Sequence, residues 1–302
     1  MDKAIECNVK DIALVVCDMD GTLLNDRQEL DVNIHSMIER LNQKQILFTL
    51  ATGRNIHIVH PYLDQLKLSL PIICNNGANV YDSEGKCIKQ YSIDPKDVQY
   101  ALKQCELFHA ACIVYTTDAI YYDENPKLDA FARRLKGKVH AYPLAQFPLH
   151  STDVMKMVVI HSYEEGMDDL MKTINHGCKY AQLVRSEGDV HTFSSKDATK
   201  GKALSYICDK LSIPIERTLV FGDNYNDISM FKQAGYSVAM LNADALVKKY
   251  ATFISDEDNN HQGVSKFILD RIKWKKFDSQ DEKRTSFFNY FAVCPFSINV
   301  KS

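Results

Sequence analysis

The feature that most constrains the fold of this chain is an alternation between short apolar runs and amphipathic stretches. Residues 12–17 form an unbroken apolar run rich in β-branched side chains, which is typical of a strand buried on both faces of a parallel sheet. The apolar residues between positions 34 and 41 recur at i, i+3, i+4 and i+7, which predicts an amphipathic helix. Further apolar runs follow at residues 46–50 and 71–74, and the alternation returns near residue 201. The pattern predicts an α/β protein with a doubly wound, Rossmann-like parallel sheet.

The middle of the chain has a different pattern. Between residues 81 and 189, predicted hairpins and helices follow one another without the strand–helix alternation, as in an α+β fold. We therefore expect a discontinuous core domain of residues 1–80 and 190–274, and an inserted α+β domain of residues 81–189. Residues 275–302 begin polar and end apolar, and the sequence assigns no role to this tail.

Composition and charge argue against several classes of protein. The 302 residues are enough for one large or two modest domains. With 36 basic and 39 acidic residues the net charge is −3, so we expect no nucleic-acid partner. No apolar run approaches the roughly 18 residues of a membrane span. The nine cysteines form no Cys-x-x-Cys pair, and several lie in apolar runs, so we expect reduced thiols. The expectation is a cytoplasmic protein with no membrane partner, either a monomer or a weak homodimer.

Two carboxylates follow the first apolar run, where the strand is predicted to end. Asp18 and Asp20 are separated by one residue, and Gly21 comes next. Carboxylates this close repel each other, and Mg²⁺ would relieve the repulsion because it prefers carboxylate oxygens. One aspartate then has the chemistry of a nucleophile that forms an acyl phosphate, and the other that of a proton donor. The alternatives are a solvated strand end with a turn glycine, and an EF-hand calcium loop, which Thr22 and Leu23 exclude.

Two further stretches carry groups suited to binding phosphate. Thr52, Gly53 and Arg54 follow the second apolar run, and they offer a hydroxyl donor, close backbone approach and a two-donor guanidinium group. The alternative is a helix cap with a surface arginine. Lys200 opens a predicted helix, where its charge would neutralise both a nucleophile and a transferring phosphoryl group. The alternative for a lysine before a helix is a solvated side chain.

A third stretch repeats the combination of a buried strand, a glycine and acidic residues. After the apolar residues 219–221, Asp223 is placed to reach the cation that Asp18 would bind, and Asp227 to orient ligands or waters. The amide of Asn226 would donate to a phosphate oxygen. An Asx-rich turn that caps a helix is the alternative, but it leaves unexplained why three strand ends carry polar groups of this kind.

These stretches occur in an order that resembles the four motifs of the haloacid dehalogenase superfamily of phosphohydrolases. Asp-x-Asp-Gly-Thr, strand-Thr-Gly-Arg, Lys-Gly and Gly-Asp-x-x-x-Asp follow one another, each at a strand end or a helix start. The insert of about a hundred residues between the second and third motifs resembles the large α/β cap, of the C2B type, in the Cof-type branch. The resemblance covers residues 11–272 and implies a Rossmann-like core with an inserted α+β cap.

The resemblance also implies a role for each matching residue. Asp18 resembles the nucleophile that forms an aspartyl-phosphate, and Asp20 the general acid that then becomes the base for water. Mg²⁺ would be held by Asp18, the backbone carbonyl of Asp20 and Asp223. Lys196 competes with Lys200 for the lysine position, because the turn before Lys200 lacks the Pro/Gly residues that the family often has. The positions that would bind phosphate or substrate are Thr52, Gly53, Arg54, Asn76, Lys200 and Asn226.

The expected function is that of a Mg²⁺-dependent phosphatase that hydrolyses small phosphomonoesters, such as sugar phosphates or similar metabolites. Two alternatives stay open, namely a phosphomutase acting on hexose phosphates and a sensor that binds sugar phosphates without turnover. For the specificity of the cap, the candidates are Arg185, Ser186 and the tyrosines of residues 115–122, with ordinary cap surface or cap core as the alternative.

Overall fold

The computed structural model describes residues 12–126, 128–129, 133, 138–161, 164–187 and 190–272, so the predicted tail of residues 275–302 lies outside it. The strands in this part are β1 (Leu14–Cys17), β2 (Leu47–Leu50), β3 (Ile72–Cys74), β4 (Asn79–Tyr81), β5 (Cys87–Gln90), β6 (Ala111–Tyr115), β7 (Ala119–Tyr122), β8 (His140–Pro143), β9 (Lys156–Ile160), β10 (Ala181–Glu187), β11 (Val190–Ser195), β12 (Thr218–Gly222), β13 (Tyr236–Ala239) and β14 (Phe253–Ile254). The α-helices are α1 (Ile34–Gln43), α2 (Ile56–Leu66), α3 (Pro95–Leu107), α4 (Glu164–Gly177), α5 (Lys200–Leu211), α6 (Ile228–Phe231), α7 (Ala245–Lys248) and α8 (Gly263–Lys266). None of the helices in the described part combines the length and apolar character that crossing a membrane requires.

A five-stranded parallel sheet forms the centre of the core. Its order is β14–β13–β12–β1–β2, and each neighbouring pair is parallel. β1 and β12 lie inside the sheet and are buried along their whole length, which explains why their sequences are apolar without polar alternation. Val15 packs in one apolar cluster with Met37 of α1, whereas Val16 packs in another with Leu204 of α5. Helices therefore cover both faces, and the predicted doubly wound α/β fold is confirmed.

A smaller antiparallel sheet extends the core beside β2. Its order is β3–β4–β5, and β3 adjoins β2 through a parallel bridge between Ala51 and Ile73. The hairpin predicted after residue 80 is present as β4 and β5. Val80 packs in the same apolar cluster as Leu14 of the central sheet. The hairpin therefore packs with the core.

A six-stranded mixed sheet, together with α3 and α4, forms a second unit that is called the cap below. The strand order is β10–β11–β9–β6–β7–β8, and the pairs are antiparallel except for β7 with β8. Val98 of α3, Leu170 of α4 and Val159 of β9 share an apolar cluster, so both helices pack on the sheet. The insert is an α+β unit, as the sequence predicts.

Strand pairing bears on where the chain crosses between core and cap. The predicted boundary at residues 80–81 falls inside β4, and the one at residues 189–190 falls just before β11. β4 and β5 pair with β3, whereas β11 pairs with β9 and β10. We therefore propose that the chain crosses at residues 91–93 and 196–199.

Helix α2 contains a proline in its middle. The sequence predicts Pro61 near the start of a helix or at a kink, whereas α2 extends from Ile56 to Leu66 around it. Proline has no N–H, so the carbonyl of His57, four residues earlier, has no donor within the helix. The Nζ of Lys138, which precedes β8, donates to this carbonyl from 2.8 Å. A residue of the inserted segment thus satisfies the backbone group that the proline leaves unpaired.

Candidate active site

The polar stretches meet at the carboxyl edge of the central sheet. β1, β2 and β12 are neighbours; Asp18 follows β1, Thr52 lies two residues after β2, and Asp223 follows β12. The N–H of Asp18 donates to the carbonyl of Phe221 at 3.0 Å, which ties two of these strand ends together. Open α/β sheets bind ligands at this edge. The structure therefore brings the residues of three motifs to one place.

Lys200 is buried between two carboxylates. It is the first residue of α5, and its ammonium group contacts Oδ1 of Asp18 and lies 2.6 Å from Oδ1 of Asp227. The side chain has no exposed surface, at 0%. Burial alone would lower the pKa of Lys200, but Asp18 and Asp227 outweigh burial and raise it. The lysine therefore stays protonated and provides a fixed positive charge beside Asp18.

The carboxylates at this edge crowd one another. Burial and the negative charges of Asp227 and Asp223 raise the pKa of Asp18, and Lys200 acts in the opposite direction. Burial and the charge of Asp227 raise the pKa of Asp223 to about 6, although Thr22 donates to its Oδ1 from 2.7 Å. One lysine does not balance this much negative charge, so the edge favours a further cation.

The donor set fits a divalent cation. One oxygen each from Asp18, Asp223 and Asp227 lies within 4.8 Å of the other two. Asp227 is already engaged, because Oδ1 accepts from Lys200 and Oδ2 accepts the backbone N–H groups of Asp223 and Asn224 at 3.0 Å. Asp18 and Asp223 are therefore the candidate ligands, and their hard carboxylate oxygens would suit Mg²⁺. Asp227 instead fixes the loop after β12.

A second group of predicted residues surrounds the loop after β2. The N–H of Asn76 donates to the carbonyl of Thr52 at 3.0 Å, and Nδ2 of Asn226 donates to Oδ1 of Asn76 at 2.9 Å. Gly53 lies against the same amide, since a Cβ built there would be 2.8 Å from Oδ1 of Asn76. The hydroxyl oxygen of Thr52 accepts the N–H of Arg54 at 3.1 Å. The structure thus joins the loops after β2, β3 and β12.

Gly77 allows the loop after β3 to pack on the helix that carries Lys200. Its φ is +97°, and a Cβ there would lie 2.2 Å from the carbonyl oxygen of Thr199 and 2.8 Å from the nitrogen of Lys200. We expect Gly77→Ala to lower the free energy of unfolding by about 3 kcal/mol, because left-handed strain adds to a clash with backbone atoms. Urea unfolding of the two proteins measures this loss.

Gly85 offers a matched control for that experiment. Its φ is +80°, but no atom lies within 4 Å of the position of a Cβ. Gly85→Ala should therefore cost only the left-handed strain, about 1 to 2 kcal/mol. Equal losses in the two variants would contradict a packing role for Gly77.

Arg54 pairs with the second aspartate of the first motif. Its Nε donates to Oδ2 of Asp20 at 2.7 Å, and its Nη2 contacts Oδ1. The guanidinium group also donates to the hydroxyl of Tyr62 at 3.3 Å and lies over its ring. The side chain of Asp20 is 50% exposed, whereas Asp18 is buried. The two aspartates therefore have different surroundings, which suits them to different chemical tasks.

The structure separates the two competing lysines and places the cap candidates. Lys196 donates to two backbone carbonyls of the cap, so the lysine that reaches Asp18 is Lys200. Arg185 lies on β10, which is an edge strand of the cap sheet. The side chain of Ser186 lies outside the described part of the chain. A specificity role for either residue stays a prediction.

Sequence reasoning does not single out two residues that touch this site. Thr22 donates to Asp223, and its place inside the first motif is the signal that would have indicated it. Lys156 begins β9, and its Nζ donates to the carbonyl of Gly53 at 3.3 Å. A lysine inside the otherwise apolar run of residues 154–160 is the signal for this second residue.

Comparison with known proteins agrees with this geometry. A sequence model of haloacid dehalogenase-like hydrolases matches residues 15–268. Pyridoxal phosphate phosphatase YbhA of Escherichia coli is 28% identical over 86% of this chain and 98% of its own. The 5-amino-6-(5-phospho-D-ribitylamino)uracil phosphatase YcsE of Bacillus subtilis is 27% identical over 85% and 95% of the respective chains. A crystal structure from Thermotoga maritima is 28% identical and aligns with a TM-score of 0.75, over 88% of this chain and 100% of the other. The chain therefore belongs to the haloacid dehalogenase-like hydrolase family.

Proposed function

We propose that this protein is a Mg²⁺-dependent phosphatase that hydrolyses small phosphomonoesters through an aspartyl-phosphate intermediate. The observation that carries the proposal is the buried group of Asp18, Lys200 and Asp227 at the carboxyl edge of the sheet. A buried ion pair adds little to stability over apolar side chains of similar volume, so stability alone does not account for it. The group does supply a carboxylate beside a fixed positive charge, which phosphoryl transfer through an aspartyl-phosphate requires.

In the first half-reaction the carboxylate of Asp18 attacks the phosphorus atom. Lys200 holds Oδ1, and no hydrogen bond to Oδ2 occurs within the described part of the chain, so Oδ2 is the attacking oxygen. The bond between phosphorus and the ester oxygen breaks, and the leaving alkoxide takes a proton from Asp20. Lys200, Thr52 and Asn226 stabilise the charge on the phosphoryl oxygens.

In the second half-reaction water attacks the phosphorus atom of the aspartyl-phosphate. Asp20 takes a proton from the water, the bond from phosphorus to Asp18 breaks, and inorganic phosphate leaves. The ion pair with Arg54 fixes the side chain of Asp20 at the solvent edge, where water reaches it, which suits this second role. For the first role the pair has to open, and the released guanidinium group of Arg54 then binds an oxygen of the substrate.

Asp18, Asp223 and the backbone carbonyl of Asp20 would hold the Mg²⁺ ion. When bound, the ion supplies positive charge that offsets the repulsion between the carboxylates and the charge of the phosphoryl group. Thr22 keeps Asp223 in place through its 2.7 Å hydrogen bond. Asp227 accepts two N–H groups of the following loop, which positions Asp223 from the other side.

The substrates that we propose are small phosphorylated metabolites, sugar phosphates among them. Pyridoxal phosphate and 5-amino-6-(5-phospho-D-ribitylamino)uracil, which appear in the names of two relatives, are phosphomonoesters of this kind. A cytoplasmic location, a monomeric or weakly dimeric state and the lack of nucleic-acid or membrane partners stay predictions from the sequence.

Phosphate release is the direct test of the proposal. With Mg²⁺ present, we expect the purified protein to release inorganic phosphate from members of a panel of sugar, nucleotide and cofactor phosphates. Removal of the metal with EDTA should lower the rate by roughly 100-fold or more, because a bound metal contributes several kcal/mol of charge stabilisation. Added Mg²⁺ should restore it.

Two other outcomes would contradict hydrolysis. Formation of an isomeric phosphate ester without free phosphate, followed by NMR of the sugar products, would identify a phosphomutase. Tight binding of sugar phosphates with neither product would identify a sensor.

A further inference from the structure

One cation beside the proposed active site, Lys156, has no anionic partner among the residues that the structure describes. Lys156 is partly buried at the start of β9, between β6 and β11 of the cap sheet. Its Nζ donates to the carbonyl of Gly53 at 3.3 Å and lies 4.9 Å from the ring centre of Tyr115. No carboxylate in the described ranges pairs with it, in contrast to Lys200, which contacts two.

An ammonium group in these surroundings is costly. In the described part of the chain its three N–H bonds have one hydrogen-bond acceptor, the carbonyl of Gly53, and the aromatic ring of Tyr115 adds a modest attraction. Burial lowers the pKa of Lys156 from 10.5 to about 8, and the thiol of Cys74 acts in the opposite direction. A partly buried cation with unused donors gains free energy when an anion arrives with a ligand.

The position of Lys156 places it on the side of the leaving group. In phosphoryl transfer the attacking and leaving oxygens lie in line on opposite sides of the phosphorus atom. Because Asp18 attacks from the sheet edge, the leaving group extends away from the sheet and towards the cap. Lys156 is a cap residue, and the carbonyl that it contacts belongs to Gly53, between the proposed phosphate-binding residues Thr52 and Arg54. A bound phosphomonoester would therefore extend its leaving group towards the side of the site on which Lys156 lies.

We propose that Lys156 binds a second anionic group, a carboxylate or a further phosphate, in the leaving group of the substrate. The inference rests on the proposed phosphatase function and narrows its substrates to phosphomonoesters whose leaving group is itself negatively charged. Two N–H bonds of the ammonium group are available for the anion while the third keeps its contact with the carbonyl of Gly53.

Pairs of substrates that differ in one group test this assignment. 3-Phosphoglycerate carries a carboxylate where glycerol 3-phosphate carries a hydroxymethyl group, and fructose 1,6-bisphosphate carries a phosphate that fructose 6-phosphate lacks. For each pair, the preference is the kcat/KM of the charged compound divided by that of the neutral compound. For at least one pair, Lys156→Met should lower this ratio of kcat/KM by about 10- to 100-fold. Lys156→Arg keeps the charge and should retain most of the ratio. The pair that responds identifies the anion.

Lys196→Met is the matched control. Lys196 is an exposed lysine that donates to two backbone carbonyls of the cap, and in the described ranges it touches none of the proposed site residues. The ratio of kcat/KM should stay unchanged in this variant. If Lys156→Met lowered kcat/KM equally for both members of each pair, Lys156 would act on the phosphoryl group or stabilise the fold. Unchanged ratios would show that it binds no part of the leaving group, and either result overturns the proposal.

Binding separates a failure of this inference from a failure of the proposed function. If the wild-type protein releases no phosphate from any compound, the phosphatase proposal fails. Calorimetric Kd values for the same pairs, measured in the Asp18→Asn protein with and without Lys156→Met, then still test the anion site. If Lys156→Met leaves the ratio of Kd values between the charged and the neutral compound unchanged, the proposed anion site is overturned as well.

The charge of Lys156 gives a second readout. A lysine is charged below its pKa, and kcat/KM reports ionisation of the free enzyme. With a pKa of about 8, the preference of the wild-type protein for the charged ester should decline as the pH rises above 8. Within the part of the chain that the structure describes, the other ionisable groups that face it are Cys74 of β3, whose pKa burial raises, and Tyr115 of β6, whose ring centre lies 4.9 Å away. A preference that stays constant to pH 10 in the wild-type protein, as expected for Lys156→Arg, would overturn the proposal.

Discussion

We expect the Asp18→Asn variant to release phosphate at least on the order of 10³-fold more slowly than the wild-type protein. The amide has nearly the same volume, and its oxygen still accepts a hydrogen bond from Lys200, but it is not a nucleophile that forms an acyl phosphate. Lys200 keeps its 2.6 Å contact with Asp227, so the fold should persist. Initial rates at saturating Mg²⁺ and substrate measure the loss, and the melting temperature confirms the fold.

An exposed aspartate provides the control for this substitution. Asp64 pairs with His60 on the surface of α2, and its side chain is 73% exposed. Asp64→Asn makes the same chemical change and should leave the rate unaltered. Acid quenching followed by mass spectrometry should detect a phosphoryl group on the peptide that contains Asp18 in the wild-type protein alone. Wild-type rates in Asp18→Asn would rule out the aspartyl-phosphate intermediate.

Lys200→Met should cause the largest loss of stability among the substitutions considered. The methionine side chain is one atom shorter and carries no charge, so two buried carboxylates, Asp18 and Asp227, remain without their cation. Breaking a buried ion pair in this way costs roughly 3 to 5 kcal/mol. Turnover should also fall, because the charge that stabilises the phosphoryl oxygens is lost. Urea unfolding without added metal and the phosphate assay measure the two effects.

The loss of stability in Lys200→Met should depend on pH. Lys200 is the neighbour that lowers the pKa of Asp18, so without it that pKa rises further above its value in the unfolded chain. The native state then binds more protons than the unfolded state, and stability decreases as the pH rises above about 4, where Asp18 ionises in the unfolded chain. Lys202, on the same helix, is the control, because its side chain is 49% exposed and its pair with Asp197 lies on the surface. Lys202→Met should change stability by about 0.5 kcal/mol or less at every pH. A Lys200→Met protein that unfolds like this control would contradict the buried charge.

The site residues that could be predicted from the sequence are those that lie within short local motifs. Asp18, Thr52 and Asp223 each lie directly beyond an apolar run, and parallel strands bring such positions to one edge whatever the packing elsewhere. The apolar character of β1 and β12 follows from burial on both faces, so the parallel sheet is predictable from the same runs.

Features that depend on packing between distant segments could not be predicted from the sequence. Lys196 lies four residues before α5 and Lys200 is its first residue, so both lysines are near the start of this helix. Only the tertiary structure shows which of the two ammonium groups contacts Asp18. The contact of Lys156 with Gly53 joins cap and core across about a hundred residues, so no local pattern encodes it. The pairing of β11 with the cap sheet has the same origin, because an apolar strand gives no sign of which sheet it joins.

The central position of β1 has a consequence for the folding of the growing chain. β1 pairs on one side with β2, about 33 residues later, but on the other side with β12, about 200 residues later. At roughly 5 to 20 residues per second, the ribosome needs roughly 10 to 40 s to add the intervening segment. During this time one edge of a fully apolar strand has no partner, and an unpaired edge of this kind promotes association with other chains. The cap lies within this segment, so it lengthens the interval during which one edge of β1 is without β12.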